Sequence, residues 1–234
     1  MPAPCNGCRT FEDYATLVFV PLIKRVLCQF SRIDTVCDQY LPVSLKAGTR
    51  VKHGNGVRRR VTPTADLPRN WSDFLHVSEN KSELFHFLSQ HVASFNFGDR
   101  EEFITDGSNV LSTTVNQIDT SISPCSHEET DRRLLLHVVH AAYCGFTKVT
   151  VRSADTDVVV IAIACMQQLD LPELWIWFGT GKHIRYLPLH DIVTALGPDR
   201  CMALPFFHAF TGCDTVCFRR TWQEKCLGYL VDIC

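Results

Sequence analysis

Apolar residues repeat at helical spacing near the start of the chain, behind a capping-box pair formed by Thr10 and Asp13. This pattern predicts a first helix from Phe11 to Phe30. The same spacing predicts a second helix from Ser78 to about Phe95. A third helix is predicted from Ser126 to Gly145, because a serine cap opens it and a glycine in the usual C-terminal cap position ends it.

Short runs rich in β-branched and apolar residues predict the strands. We place them at Ile33 to Cys37, near Val110 to Val115, at Lys148 to Arg152 and at Leu174 to Phe178. Pro188 to Leu196 and Arg200 to Phe210 are predicted as helices, while Val158 to Leu169 is a buried segment of either type. Strands that alternate with helices predict an α/β fold, with a mostly parallel central sheet flanked by helices.

The composition is that of a globular protein, with 46% hydrophobic and 21% charged residues among 234. This length favours a single domain. The longest apolar stretch, Val158 to Met166, is shorter than the ~20 residues that span a bilayer, and the N-terminus lacks the pattern of a signal peptide. We therefore predict an intracellular protein, nuclear or cytoplasmic and not secreted, with no membrane partner. The twelve cysteines are then expected as reduced thiols.

Basic residues concentrate in one stretch that contains no acid. They are Lys46, Arg50, Lys52, Arg58, Arg59 and Arg60. The sequence from Asp99 to Asp131 is instead mostly acidic, and this asymmetry indicates a polyanion partner on one side and cations on the other. The arginine run is either a solvated charge cluster or a flexible contact to a phosphate backbone, and the salt dependence of binding distinguishes the two.

Two carboxylates, Asp155 and Asp157, directly follow a predicted strand. Both acids should therefore lie at the carboxyl edge of the sheet, where open α/β sheets place their ligands. Two like charges at such a position repel each other unless a cation compensates. The pair is thus either a metal site or a pair of solvated turn residues, since Asp also favours turns.

Other acids are predicted to reach the same edge. Glu129 and Asp131 lie in the first turn of the helix before the strand, Asp214 follows an apolar helix, and Asp38 closes another strand. Carboxylates from separate segments are typical of Mg²⁺ or Mn²⁺ sites, in which two ions clamp the oxygens of a phosphodiester. The competing interpretation of Glu129 and Asp131 is simple helix capping.

The order of these acids resembles that of the flap-endonuclease-like branch of the PIN-domain nucleases. The motifs that carry the resemblance are Glu129-Thr130-Asp131, Ser153-Ala154-Asp155-Thr156-Asp157 and Thr211-Gly212-Cys213-Asp214. Upstream, Asp38 is similar to the acid that ends a strand in this family. The basic residues Lys46, Arg50 and Lys52 are similar to the family's basic helical arch. The resemblance covers about Ile33 to Asp214, and it is strongest to uncharacterised animal members that look like remnants of mobile elements.

This resemblance implies two-metal hydrolysis of a nucleic-acid phosphodiester, with water as the nucleophile and Mg²⁺ or Mn²⁺ as the ions. The implied metal ligands are Asp38, Glu129, Asp131, Asp155, Asp157 and Asp214. The implied catalytic residues are Asp38, Lys46 and Lys52, because the lysines would neutralise the scissile phosphate. The basic stretch from Lys46 to Arg60 would bind nucleic acid, with DNA favoured over RNA.

Two parts of the chain depart from that family. The family opens with a strand that ends in a metal-binding Asp, and Met1 to Arg9 offers neither, so we expect the domain to lack its first strand. The family also continues with a Gly-x-Gly-x-Lys segment, which Val216 to Cys234 does not contain, although a shift of one nucleotide would restore it with suitable codons. We therefore divide the chain into an incomplete PIN-like domain, 1–215, and a tail, 216–234, that we hypothesise to be out of frame.

Two other functions fit the same residues. A catalytically inactive remnant would bind nucleic acid through the basic stretch, or would act as an interaction domain. An Asp-x-Asp after a strand also suits an aspartyl-phosphate phosphatase, but such enzymes place the pair on an early strand.

Three smaller motifs are given structural interpretations. Cys5-x-x-Cys8 has the spacing of half a zinc site, but no second pair with that spacing follows, so we interpret it as a stray pair. Gly179 to Lys182 is predicted to be a hairpin turn. Trp175 and Trp177 alternate with apolar residues and are predicted to belong to the core.

Overall fold

The structure is a computed structural model that describes residues 1–39, 57–112, 114, 118–125 and 130–212. Contacts within the chain define two compact units, unit 1 from Met1 to His137 and unit 2 from Val138 to Cys234. The described residues of each unit contain one three-stranded sheet. Among the described residues, no helix has the length and apolar character needed to cross a membrane.

Unit 1 begins with the predicted first helix, which contains a π-helical turn. It comprises α1 (Phe11–Tyr14), the π-helical turn (Ala15–Phe19) and α2 (Val20–Leu27). The wider turn lies directly before Pro21, where the Val20 amide donates to the carbonyl of Ala15. A proline has no amide hydrogen and its ring clashes with the preceding turn of a regular helix, so a locally wider turn accommodates it. The capping box of Thr10 and Asp13 is confirmed.

The remaining elements of unit 1 form a small sheet and the helices beside it. They are β1 (Arg32–Thr35), α3 (Trp71–His76), α4 (Ser78–Ala93), β2 (Glu101–Asp106), β3 (Asn109–Leu111) and α5 (Thr130–Tyr143), the last of which continues into unit 2. The largest core cluster joins the first helix to α3, α4 and β2, and includes the fully buried Phe11, Tyr14 and Leu84. The helix predicted from Ser78 to Phe95 is therefore confirmed as α4, which ends two residues earlier.

Unit 2 follows the predicted order closely. Its elements are β4 (Lys148–Ser153), α6 (Thr156–Met166), β5 (Glu173–Phe178), a 3₁₀ turn (Gly181–His183), β6 (Arg185–Pro188), α7 (Leu189–Leu196) and α8 (Pro198–Gly212). The segment of undecided type is a helix, because Asp155 caps it at its first turn. The turn predicted from Gly179 to Lys182 is confirmed, since it joins the antiparallel strands β5 and β6.

Both sheets have the same pairing pattern. In unit 1, β1 runs parallel to β2 and β2 antiparallel to β3. In unit 2, β4 runs parallel to β5 and β5 antiparallel to β6. The α/β class is confirmed, whereas a mostly parallel sheet is not, because each sheet is mixed. Residues 1–9 form no strand.

Candidate carboxylate site

The acid pair of unit 2 lies where β4 gives way to α6. Asp155 is the N-cap of α6, and its Oδ1 accepts a hydrogen bond of 2.9 Å from the Asp157 amide. The Ser153 hydroxyl accepts a 3.0 Å bond from the Asp155 amide and so fixes the turn before the helix. The predicted position at the carboxyl end of a strand is confirmed. The capping role is present as well, and it occupies only one oxygen of the exposed Asp155 carboxylate.

His208 brings a third element to this pair. Its Nε2 lies 2.7 Å from Oδ1 of Asp157, and their side chains are 24% and 37% exposed. His208 lies four residues before the end of α8, so the C-terminal half of this helix reaches the start of α6. That return of α8 was predicted, although His208 itself was not. Its only signal in the sequence is that it is the one ionisable residue within an apolar run, Phe206 to Phe210.

The predicted metal ligands of unit 1 that the structure describes lie after β1 and at the start of α5. Asp38 follows β1 and accepts a short hydrogen bond from the hydroxyl of Thr130, the first residue of α5. Asp131 is the next residue and lies in the first helical turn, where the positive end of the helix dipole stabilises a carboxylate. Asp38 is exposed, whereas Asp131 is partly buried. The strand end and the helix start of unit 1 are thus joined through Thr130.

A cavity of about 240 Å³ lies beside Asp38. Its lining is mostly apolar and includes Phe19, Phe85, Leu88 and Ile104. Such a surface does not suit a phosphodiester, which needs cations or hydrogen-bond donors. The polar edge of the cavity is the more suitable part for a cation, because the Asp38 carboxylate lies there.

A buried charge cluster in unit 1 was not predicted from the sequence. Asp34 of β1 accepts hydrogen bonds of 2.7 and 2.9 Å from the Arg32 guanidinium and contacts Nδ1 of His137 at 2.8 Å. The side chains of Arg32 and His137 are each only 3% exposed. Burial opposes ionisation of Asp34, but the bonds from His137 and Arg32 outweigh it and lower the pKa of this carboxyl. Asp34 is therefore an ionised structural residue, held between two hydrogen-bonding partners.

The arginine run of the predicted nucleic-acid contact is exposed, but its first member is already paired. Arg58 forms a short ion pair with Glu83 of α4 and donates to Asn80 Oδ1 at 3.1 Å. Asn80 also accepts a 2.8 Å bond from the Arg59 amide, so the segment is anchored to α4 by its backbone. Arg59 and Arg60 are exposed residues that follow this anchor. They are the described basic residues of the stretch best placed to meet an external anion.

The two tryptophans of β5 lie on the face opposite its buried residues. Leu174 and Ile176 are fully buried, whereas Trp175 and Trp177 are only partly buried. Arg152 lies over the Trp177 ring at 4.8 Å and Lys148 near the Trp175 ring at 5.4 Å. The prediction that both tryptophans belong to the core is therefore confirmed only in part.

Several predicted site residues lie outside the part of the chain that the structure describes. They are Lys46, Arg50, Lys52, Glu129 and Asp214, and the serine predicted to cap the third helix, Ser126, lies there too. Within the described residues, no group of three or more His, Cys, Asp or Glu side chains is arranged to hold a metal ion. In unit 2, Asp155 accepts a hydrogen bond from the Asp157 amide, and in unit 1 Asp38 accepts one from Thr130, the residue before Asp131. No protein-family model, curated protein or solved structure matches the chain.

Proposed function

We propose that the complete domain hydrolyses phosphodiester bonds of nucleic acid with the help of Mg²⁺ or Mn²⁺, as a PIN-like nuclease of the flap-endonuclease kind does. The observation that supports this most directly is the meeting of three chain segments at one acid pair. The end of β4, the first turn of α6 and the C-terminal half of α8 meet at Asp155, Asp157 and His208. Carboxylates that separate elements hold close together are typical ligands of a divalent metal ion.

The chemistry of the pair fits a hard cation. Asp155 uses one oxygen to cap α6, and Asp157 uses one to contact His208, so each carboxylate keeps a second oxygen for a metal. Mg²⁺ is commonly bound through one or two carboxylates together with water and substrate phosphate. Such an ion would polarise the phosphodiester and activate the attacking water.

Other acids enter the proposal through the resemblance. Asp214 follows α8 by two residues in the sequence and would join the pair that His208 contacts. In unit 1, the corresponding ligands are Asp38 and Asp131, together with Glu129, which precedes Asp131 by two residues. The contact from Thr130 to Asp38 supports their grouping, because it joins the end of β1 to the start of α5.

The partner we propose is nucleic acid, with DNA favoured over RNA. Arg59 and Arg60 are exposed beside a backbone that Asn80 anchors to α4. Arg58 is expected to contribute less, because Glu83 already neutralises it. Phosphate contacts by such side chains make binding fall steeply as salt rises. Lys46, Arg50 and Lys52 would extend this surface and neutralise the scissile phosphate.

The test is the double variant Asp155→Asn with Asp157→Asn in the full chain. Asn keeps the capping oxygen at position 155 but removes both charges, so the fold should remain while the metal loses its ligands. We expect the double variant to lose cleavage of labelled DNA and RNA, together with the rise in melting temperature that millimolar Mg²⁺ or Mn²⁺ produces in the unaltered chain. The matched control is Asp191→Asn, which removes an exposed acid from the first turn of α7 and should change neither.

One observation favours the non-catalytic alternative. The Asp155 cap and the contact between Asp157 and His208 already give each carboxylate a partner without any metal. A binding remnant would show salt-dependent nucleic-acid affinity that the double variant retains or increases, with no metal-induced stabilisation. If the double variant instead cleaves as well as the unaltered chain, the assignment of Asp155 and Asp157 is wrong.

A further inference from the structure

A pair of thiols near the start of unit 1 forms a tight turn. The sulfur atoms of Cys5 and Cys8 lie 3.0 Å apart, and both residues are free cysteines. The Cys8 amide donates to the Cys5 carbonyl at 3.0 Å and closes a turn through Asn6 and Gly7. The first and last Cα atoms of such a turn lie within about 7 Å, which is close to the separation that a disulfide bridges. We call residues 5–8 the dithiol turn.

The segment directly after the dithiol turn is anchored to the body of unit 1. The Arg9 carbonyl accepts a 2.8 Å bond from the Leu67 amide. The amides of Arg9 and Thr10 both donate to the Asp13 carboxylate at 2.9 Å. Cys8 therefore directly precedes an anchored backbone segment, and the hydrogen bond of the turn holds Cys5 close to Cys8. Little further ordering is needed to join the sulfurs, and this favours ring closure.

The two thiols differ in access and in acidity. Cys5 is exposed, whereas Cys8 is partly buried. Hydrogen bonds to Cys5 lower the pKa of its thiol; the larger contribution comes from the Cys8 thiol and the next from the Gly7 backbone. Burial, followed by the contact with Cys5, raises the pKa of the Cys8 thiol. The exposed sulfur is thus the better nucleophile toward an external reagent, and the protected sulfur is placed to react second.

We propose that the dithiol turn is a thiol–disulfide exchange site that takes low-molecular-weight disulfides as its oxidant. The Cys5 thiolate attacks one sulfur of the small disulfide, forms a mixed disulfide and releases one thiolate. The Cys8 thiol loses its proton to solvent and attacks the Cys5 sulfur, which closes the Cys5–Cys8 disulfide and releases the second thiolate. The chain loses two electrons, and the small disulfide gains them as it becomes two thiols.

This site is separate from the carboxylate chemistry proposed above and does not depend on it. A zinc ion is the main alternative occupant, since two thiolates at this spacing form half of a structural zinc site. Among the described residues, no third His, Cys, Asp or Glu completes such a site around the pair. The geometry therefore favours exchange between the two sulfurs.

The experiment exposes the full chain to glutathione disulfide and identifies the products residue by residue, by alkylation and mass spectrometry. We expect the unaltered chain to lose both thiols of the dithiol turn as an internal disulfide, and reduced glutathione to restore them. Cys8→Ser should instead retain one glutathione on Cys5, because the second attack is removed. Cys5→Ser should leave Cys8 largely unreacted.

The matched control is Cys144→Ser, which removes an exposed cysteine of unit 2 and should leave the internal disulfide unchanged. Circular dichroism of each variant separates loss of chemistry from loss of folding. The proposal is overturned if Cys5, Cys28 and Cys144 acquire glutathione at similar rates without an internal disulfide. It is also overturned if the purified chain carries a zinc ion that protects Cys5 and Cys8 from the reagent.

Discussion

The two units contain sheets of the same topology, and each has an Asp paired with a His in a different setting. In unit 1, Asp34 contacts His137 at 2.8 Å, and the histidine side chain is 3% exposed. In unit 2, Asp157 contacts His208 at 2.7 Å, with side chains that are 37% and 24% exposed. The distances are almost equal, so the chemistry of the two pairs must differ through solvent access and neighbouring charge.

The difference shows which carboxylates are committed to the fold. Asp34 also receives two hydrogen bonds from Arg32. Removing either Asp34 or Arg32 would leave the other charge uncompensated in a region of low dielectric constant. Asp157 lies in the first turn of α6, where water and the helix dipole stabilise its charge without a buried cation. Of these two acids, Asp34 is therefore committed to the fold, and Asp157 is available to a ligand.

The largest expected effect comes from removing the charge of the buried pair. We predict that Asp34→Asn lowers the free energy of unfolding by about 3 kcal/mol, because it removes the carboxylate charge that faces buried Arg32 and replaces one of the two acceptor oxygens with an amide nitrogen. The corresponding change in unit 2, Asp157→Asn, should lower it by less than about 1 kcal/mol, since it removes a partly exposed pair. Urea unfolding monitored by circular dichroism measures both. Equal losses in the two variants would contradict the distinction between a structural and an available acid.

The hairpins of the two sheets offer the next comparison. Gly107 joins β2 to β3 at φ 55°, and nothing lies within 4 Å of an added Cβ. Gly179 follows β5 at φ 97°, and an added Cβ would lie 2.5 Å from the His183 carbonyl oxygen. We predict that Gly107→Ala lowers the free energy of unfolding by about 1 kcal/mol, and that Gly179→Ala lowers it by about 3 kcal/mol because a backbone clash adds to the strain. Thermal unfolding of the two variants tests the ranking, and a larger loss for Gly107→Ala would refute it.

The parts of the fold that could be predicted are those whose elements are separated by glycine or proline. Most elements of unit 2 were predicted, apart from β6 and the type of α6, because Gly145 and Gly179 separate its segments. The strand β2 was not predicted, since Glu101 and Glu102 gave its sequence a polar, acidic character. Glu102 is nevertheless fully buried in the folded chain. Burial of an acid depends on tertiary contacts, which periodicity along the chain does not report.

The candidate site was predictable to a similar extent. The Asp155 and Asp157 pair was located correctly because an acid pair after a strand has a fixed place in an α/β sheet. His208 was missed because it contacts Asp157 across 51 positions of sequence, and no local spacing connects them. The ion pair of Arg58 with Glu83 was missed for the same reason, since its partner lies on α4.

The buried pair also predicts a pH dependence for unit 1. The pKa of Asp34 is lower in the folded chain than its ordinary value, so ionised Asp34 stabilises the fold above the unfolded pKa of about 3.9. This stabilisation is lost as the pH falls through the lower folded pKa, with a slope of at most about 1.4 kcal/mol per pH unit for one proton.

The measurement is the difference in unfolding free energy between the unaltered chain and Asp34→Asn. Urea unfolding gives this difference at a series of pH values from neutral down to about pH 3. We expect this difference to shrink as the medium becomes more acidic, because other acids titrate equally in both chains. A difference that stays constant over the whole range would show that the Asp34 charge is not what stabilises the pair.

The smallest predicted effect separates the two roles of Asp155. As the N-cap of α6, Asp155 needs only an oxygen that accepts the Asp157 amide, and Asn supplies one whereas Ala does not. Asp155→Ala should therefore lower the free energy of unfolding by about 1 kcal/mol, while Asp155→Asn leaves it nearly unchanged. Both variants should lose most of the stabilisation by Mn²⁺, since neither carries the negative charge that a divalent ion requires.

This combination distinguishes a ligand from a cap, because the cap tolerates Asn and the ligand does not. Melting temperatures of the three chains with and without Mn²⁺ give both quantities in one experiment. If Mn²⁺ stabilises Asp155→Asn as strongly as the unaltered chain, Asp155 acts only as a helix cap. Of the acid pair, only Asp157 would then be available to a ligand, and a two-ion site there would need its remaining ligands from other segments.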